Sequence, residues 1–392
     1  MDYHLQCISC GATYHKEEIR YVCDKCHDLL DVNINYAKSF SKIALPGIWK
    51  YRGLLPIDDE SKIVSLQEGN TPSYECKNLA KELHIADSHV YVKNEGANPT
   101  GSFKDRGMTL GVTKALEYGA KKVGCASTGN TSASMAAYCA KAGIEATVFI
   151  PSGKIAFGKL AQALVYGASV YEVDGSFDDA MRTVEDMCKD SSKMYLLNSM
   201  NPFRLEGQKT IGFEIAEQIG AVDKVIVPVG NAANIAAIWK GFVEFKRYHM
   251  VKKLPQMIGV QAEGASPVAK FWQTGKFVPE EHPETIASAI RIGNPVNWKK
   301  TVRALKESGG KIFSVTDKEI LEAQSLLASR EGIFVEPASA ASIAGLQKLV
   351  KSGEISKGEK VVCVTTGNGL KDPNAVVDQF KGKIKKASEL KL

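Results

Sequence analysis

The sequence predicts an α/β protein whose parallel sheets are doubly wound, carrying helices on both faces, with a small cysteine-paired module ahead of them. Three observations predict this. Between residues 90 and 365, short apolar runs alternate with amphipathic helical stretches, the pattern of a parallel sheet covered on both sides. Three of the runs end in Gly-Asn, at 129–130, 230–231 and 367–368. Two Cys-x-x-Cys pairs stand within the first 26 residues. At 392 residues the chain is too long for one core, so two or three domains are expected.

Composition narrows the class. An apolar share of 44%, a charged share of 24% and only 14 prolines describe an ordinary globular protein. No apolar run approaches membrane-spanning length, and Met1-Asp-Tyr-His-Leu-Gln lacks the basic and apolar parts of a signal peptide. A cytoplasmic protein with no membrane partner is expected. The net charge of +6 is spread along the chain apart from one basic cluster, Lys381-Gly-Lys-Ile-Lys-Lys386, so no nucleic-acid partner is expected either.

Residues 1–36 form the first module. Cys7 and Cys10 make one pair and Cys23 and Cys26 the other, twelve residues apart. Each pair sets two thiolates on a tight knuckle, and two knuckles supply the four soft ligands of a closed, structural zinc site. Tyr14 and residues 19–22 read as the short strands between the knuckles, and His27 as an exposed neighbour. The alternative is a remnant that folds without metal. Cys76, Cys125, Cys139, Cys188 and Cys363 stand singly in apolar or helical surroundings, as small core residues do. That usage fits a reducing compartment. Residues 36–60, with Trp49 and Tyr51, read as a linker that packs onto the main body.

Eight strands are expected, at 90–92, 123–126, 146–150, 169–173, 224–229, 257–261, 312–315 and 360–365. The intervening helices carry apolar residues three and four apart. Two begin with capping boxes, Ser176 with Asp179 and Thr316 with Glu319, the second ending near Gly332. A short helix is expected at 79–83, and Glu336-Pro-Ala-Ser-Ala340 reads as a helix start, with substrate contact the lesser alternative.

Chemistry gathers where strands end. Asn98-Pro-Thr-Gly-Ser-Phe-Lys-Asp-Arg106 links the first strand to a helix. Pro99 and Gly101 make a tight turn, and Ser102 is placed to cap the helix. Lys104 then sits in the first helical turn, at the positive end of the dipole. A lysine there has a lowered pKa and becomes a usable nucleophile. The carboxyl ends of parallel strands are where such sheets bind ligands. Gly230-Asn-Ala-Ala-Asn234 offers successive amides at a helix start, a phosphate cradle. It matches neither G-x-G-x-x-G nor G-x-x-x-x-G-K-[ST], so neither a dinucleotide nor a nucleoside triphosphate is indicated. A reactive lysine beside a phosphate loop points instead to pyridoxal 5'-phosphate.

Four motifs carry a resemblance over roughly residues 45–375. They are Asn98–Arg106 as quoted, Ser127-Thr-Gly-Asn-Thr-Ser-Ala-Ser134, Asn198-Ser-Met-Asn-Pro-Phe-Arg-Leu-Glu-Gly-Gln-Lys-Thr210 and Thr366-Gly-Asn-Gly-Leu-Lys-Asp-Pro373. The sequence resembles the threonine synthase family, of the tryptophan-synthase-β-like pyridoxal phosphate fold. The resemblance implies two doubly wound domains with the cofactor between them: residues 37–95 with 197–392, and a smaller mobile domain, 96–196. It implies that Lys104 carries the cofactor and that Asn130 meets the ring hydroxyl. Gly230, Asn231, Ala232, Ala233 and Asn234 would hold the cofactor phosphate, and Thr366 would meet the ring nitrogen. An alanine stands at 233, where glycine is common, and cradles phosphate if its φ is negative. Arg204, with Asn198, Ser199 and Thr131, would clamp the phosphate of the substrate, O-phospho-L-homoserine. A homodimer is implied as well.

Other readings stay open at this point. Phosphoserine differs from phosphohomoserine by one methylene, which a pocket discriminates by only ~1–3 kcal/mol. A sibling using phosphoserine with sulfite or sulfide therefore competes, as does a serine or threonine dehydratase. A non-catalytic protein built on the cysteine module is the third reading. Lys154 and Lys159 read as solvated first-turn lysines.

Overall fold

The structure is a computed structural model that describes residues 2–35, 43–152, 157–190 and 193–373, without the side chains of residues 157–159. Lys154, the side chain of Lys159 and the basic tail at 381–386 lie outside it. The strands are β1 (Tyr3–Cys7), β2 (Thr13–Tyr14), β3 (Leu30–Ile34), β4 (Ser73–Glu75), β5 (His89–Asn94), β6 (Lys122–Ala126), β7 (Glu145–Pro151), β8 (Ser169–Val173), β9 (Tyr195–Leu196), β10 (Lys224–Pro228), β11 (Gln256–Ala262), β12 (Lys311–Val315) and β13 (Lys360–Thr365). The helices are α1 (Lys77–Glu82), α2 (Lys104–Glu117), α3 (Asn130–Ala142), α4 (Phe157–Val165), α5 (Phe177–Cys188), α6 (Pro202–Gln208), α7 (Thr210–Ile219), α8 (Ala233–Arg247), α9 (Pro267–Thr274), α10 (Trp298–Glu307), α11 (Asp317–Glu331) and α12 (Pro337–Lys351).

The strands form three sheets. The largest runs β12-β11-β10-β13-β5-β4, parallel except for β4. Because its inner strands are covered on both faces, they read as continuous apolar runs such as Val225–Val227, with every residue buried. One face packs α7, α8, α9 and α10 through Phe213, Ile238 and Leu305. The other packs α1, α11 and α12 through Leu79, Leu327 and Leu346. The second sheet, β8-β7-β6-β9, is parallel throughout. Met108 and Val112 of α2 and Met135 of α3 cover one face, and Ala180 and Val184 of α5 cover the other.

All eight expected strands form, and both capping boxes close as expected. Gly332 ends α11 with φ +69°. The short strands β4 and β9 were not expected, having two or three residues each and no alternation to read. The module differs more. Tyr14 does lie in a short strand between the knuckles, β2, but the strand it pairs with, β1, lies outside them and pairs on its other side with β3. Residues 19–22 form no strand, and Val22 makes only a single bridge to Leu29. The reason is packing: Ile19 and Tyr21 lie against the core of the second sheet, and the Leu196 amide donates to the Tyr21 hydroxyl at 2.8 Å. The 47–54 stretch is a short 3-10 helix with Trp49 and Tyr51 fully buried. It is therefore core rather than linker.

Candidate active site

The site forms between the carboxyl ends of the two parallel sheets, where α2, α3, α8 and α12 begin. Gly101, at φ +84°, turns the chain out of β5 in a conformation glycine adopts without penalty. Buried Asp105 fastens that turn by accepting from the Thr100 amide (2.7 Å) and the Thr100 hydroxyl (2.6 Å). Ser102 does not cap α2, contrary to expectation. Phe103 is the N-cap and makes no side-chain cap bond. The backbone of Ser102 is held instead by a bridge to Gly367, and its hydroxyl is buried without a hydrogen-bond partner.

Lys104 opens α2, half-buried over the Phe103 ring, 4.5 Å from the ring centre. Among the described residues its ammonium donates no hydrogen bond. Burial and the nearby Arg204 charge pull it down to about 7, against an opposing pull from Glu336. The causes that act on it are desolvation and a second cation, beyond the helix dipole that its position suggests.

Arg204 lies in α6, 1% exposed. One of its terminal nitrogens donates to the Leu197 carbonyl at 3.1 Å, and its Nε has no partner. No carboxylate neutralises it among the described residues, and burial draws its pKa down to about 10. A buried guanidinium without a counter-charge is costly unless an anion arrives.

Asn130 is the first residue of α3, and its Nδ2 donates to both carboxylate oxygens of Glu336 at 3.1 Å. Asn198 uses both ends of its amide on one residue, accepting from the Ala126 amide (2.9 Å) and donating to its carbonyl (3.1 Å). It thereby ties the start of the 198–204 segment to the end of β6. Ser199 and Thr131 are half-buried, and the Ser199 carbonyl accepts from the Asn297 amide at 3.0 Å.

The 230–234 loop follows β10. A Cβ on Gly230 would stand 3.1 Å from both the Ala289 carbonyl oxygen and Ile290 Cα, so the backbone passes close to that segment. Ala232 takes φ +66°, a left-handed conformation uncommon for alanine, whereas Ala233 opens α8 without a positive φ. Asn234, 7% exposed, has neither end of its amide satisfied among the described residues. Thr366, at the end of β13, meets Ser339 hydroxyl to hydroxyl at 2.9 Å, and the Phe103 amide donates to its carbonyl at 3.0 Å.

In the sequence Glu336 reads first as a helix start, with substrate contact the lesser alternative. It does cap α12, with Pro337 at the first position, but its buried carboxylate also faces Asn130. No signal local to Glu336-Pro could have shown this, because the partner lies 206 residues away.

In the cysteine module the four sulfurs lie within 4.8 Å of one another. A tetrahedral zinc site with 2.3 Å bonds needs sulfurs about 3.8 Å apart. The amides of Ser9 and Lys25 donate to the Cys7 and Cys23 sulfurs at 3.5 and 3.4 Å, and the Tyr14 hydroxyl lies 3.1 Å from Cys23 Sγ. The donor set fits a closed zinc site, and nothing in the geometry reserves an open position.

A loop of backbone amides opening α8, a half-buried amine of lowered pKa, and polar atoms of Ser102 and Asn234 without partners among the described residues fit pyridoxal phosphate. The family model for pyridoxal-phosphate dependent enzymes matches residues 64–367. The fold and site define a pyridoxal-phosphate-dependent enzyme of the two-sheet type. A threonine deaminase isoform from Solanum lycopersicum superposes with a TM-score of 0.69 at 19% identity, covering 89% of this chain and 98% of its own, which shows the fold alone. Sequence relatives go further. The threonine synthase of Methanocaldococcus jannaschii is 56% identical over 97% of this chain and 96% of its own. That of Methanosarcina acetivorans is 56% identical over 96% and 94%. The chain belongs to the threonine synthase family of pyridoxal-phosphate-dependent enzymes.

Proposed function

We propose that the protein converts O-phospho-L-homoserine and water to L-threonine and phosphate, acting as a carbon–oxygen lyase on a phosphate ester. The observation that carries this reading is Arg204: a buried guanidinium with an Nε and a charge that no described residue partners, within electrostatic reach of Lys104. A substrate phosphate supplies the missing charge, and the planar fork of arginine suits it. A dehydratase acting on plain serine or threonine would leave that charge unmet.

In this reading Lys104 holds the cofactor and the amides of Gly230 to Asn234 hold its phosphate. Asn130 and Thr366 address its ring hydroxyl and ring nitrogen. When bound, pyridoxal phosphate supplies the electron sink that makes the hydrogens at Cα and Cβ of the substrate acidic. Thr366 and Ser339 bring only neutral hydroxyls to the ring nitrogen, so the sink is moderate and favours elimination over transamination. The remaining work is proton transfer. Protons leave Cα and Cβ, and phosphate leaves Cγ. Water adds its hydroxyl at Cβ with its proton going to the departing phosphate, and one proton each returns to Cγ and Cα. An amine titrating near 7 can accept and return those protons at neutral pH, which is the role of Lys104. Arg204, Thr131 and Ser199 hold the leaving phosphate, and Asn198 fixes the segment that carries two of them.

The smaller unit, residues 96–196, closes over bound substrate in this reading and excludes water. The four module cysteines hold one structural zinc. The protein acts as a homodimer in the cytoplasm, without nucleic acid or membrane. The test is direct: the cofactor-loaded protein with O-phospho-L-homoserine should release threonine and phosphate in equal amounts. Cofactor bound but neither product formed would overturn the reading and point to phosphoserine with sulfite or sulfide.

A further inference from the structure

We propose that Glu336 is a positioning residue that orients Asn130 and sets the proton affinity of the Lys104 nitrogen. This rests on Lys104 being the cofactor lysine. The geometry comes from three separate elements. Glu336 is the N-cap of α12, 4% exposed, with its amide donating to the Gly367 carbonyl at 3.1 Å. Its carboxylate lies under Gly367 so closely that a Cβ there would stand 2.5 Å from one carboxylate oxygen. Both carboxylate oxygens accept from Asn130 Nδ2 at 3.1 Å. A carboxylate held from one side by α12 and from another by the 366–368 turn can therefore fix the rotation of the Asn130 amide. Nδ2 carries two hydrogens, so one remains for the cofactor.

The second half is electrostatic. Other charged groups stand around the pair: Arg204 from α6 acts on Lys104, and Lys371, from the segment after β13, interacts with both Glu336 and Asp105 of α2. Arg204 disfavours a protonated Lys104 and Glu336 favours it. Lys371 donates to the Thr100 carbonyl at 2.8 Å and is fixed there. Glu336 is thus the group that opposes the arginine. Without it, burial and Arg204 would leave the lysine nitrogen too weak a base to collect protons from carbon near neutral pH. A purely structural carboxylate would be needed for folding but would not move a titration.

Glu336→Gln keeps the shape of the side chain and removes its charge. In the holoenzyme, the pH at which the visible cofactor absorption titrates and the ascending limb of the kcat/KM profile should both fall by about one unit. kcat should drop while KM for O-phospho-L-homoserine changes little. Glu336→Asp retains the charge and should bring both titrations back toward the parent values. Spectra and profiles of Glu336→Gln that coincide with the parent would overturn the proposal. If Glu336→Gln folds poorly, Glu336→Asp and Glu336→Ala compared by the same titration decide it, since only the second lacks the charge. Borohydride reduction and peptide mapping of each variant separate the two readings: cofactor fixed at a residue other than Lys104 would sink the lysine assignment itself.

Discussion

Gly207 of α6 meets the backbone of Arg106 in α2 with no room between them. A Cβ on Gly207 would fall inside the Arg106 carbonyl oxygen and 3.1 Å from Gly107 Cα. A Cβ on Gly107 would in turn stand 3.0 Å from the Arg204 carbonyl oxygen. The two helices therefore cross backbone to backbone at a pair of glycines. Lys104 and Arg204 each lie three residues before their glycine, about one helical turn, and so face the same space. The crossing is what brings Lys104 and Arg204, the proposed cofactor lysine and phosphate clamp, within electrostatic reach of each other.

Replacing Gly207 with alanine should force the helices apart. Overpacking of this kind costs about 1–3 kcal/mol, and more where the obstacle is backbone. Gly207→Ala should lower the melting temperature and raise KM for O-phospho-L-homoserine together. Normal kinetics in a stable variant would mean the crossing has slack that the structure does not show.

Lys104→Ala should abolish the borohydride-reducible chromophore. In the cofactor-free protein, the lowered pKa of about 7 leaves roughly half the amine neutral at pH 7, whereas ordinary lysines titrate near 10.4. An amine-selective acylating reagent at pH 7 should therefore label Lys104 ahead of the exposed lysines, and peptide mass mapping reads the site. Uniform labelling would show an ordinary ammonium.

Arg204→Ala should leave the cofactor spectrum intact and raise KM strongly. A charge-assisted hydrogen bond contributes ~1.5–3 kcal/mol, which corresponds to a rise of roughly 10- to 150-fold. An unchanged KM would remove Arg204 from the site.

Arg106 is held between two carboxylates, Glu95 (2.6 Å) and Glu214 (2.7 Å), with Lys93 also on Glu214 at 2.8 Å, and all four are fully buried. Burial alone would raise the Glu214 pKa, but Arg106 and Lys93 outweigh it and hold the group well below the usual carboxylate range. Its folded pKa is depressed, so its contribution is complete above the unfolded value of about 4.3. That contribution is lost as pH falls from there through the folded value. Arg106→Met leaves two buried charges short of a partner and should destabilise by about 3–5 kcal/mol. Denaturant titrations at pH 7 and pH 4 check both statements, and the variant should show a shallower loss on acidification.

Metal analysis of the purified protein should find about one zinc per chain, lost in Cys23→Ser. Because Tyr3, Leu5 and Leu30 of the module share a core with Phe203, next to Arg204, metal loss should also lower the melting temperature. A metal-free protein of undiminished stability would mark the module as a remnant.

Much of this was legible in one dimension because the signals are local. Capping boxes, apolar periodicity and strand-end glycines are each set within a few residues, so the strands, the helix starts and Lys104 could be placed from the sequence. The four cysteines could be paired because a knuckle is a contiguous turn. What the sequence could not show is set by pairs distant in the chain. Ser102 reads as a cap, but its bridge to Gly367 overrides that local preference. Tyr21 reads as a ribbon strand, but packing against the second sheet draws it away. Arg106 and Glu336 look like ordinary helix charges until residues 108 and 206 positions away close on them. By itself the sequence determined the α/β elements, the lysine and its turn, and the metal-type knuckles, since these depend on backbone geometry and side-chain chemistry over short spans. Only the tertiary structure decided which charges are buried, which lack partners among the described residues, and that Arg204 lies within electrostatic reach of Lys104. Burial and long-range pairing depend on how the helices cross, and two glycines a hundred residues apart fix that crossing.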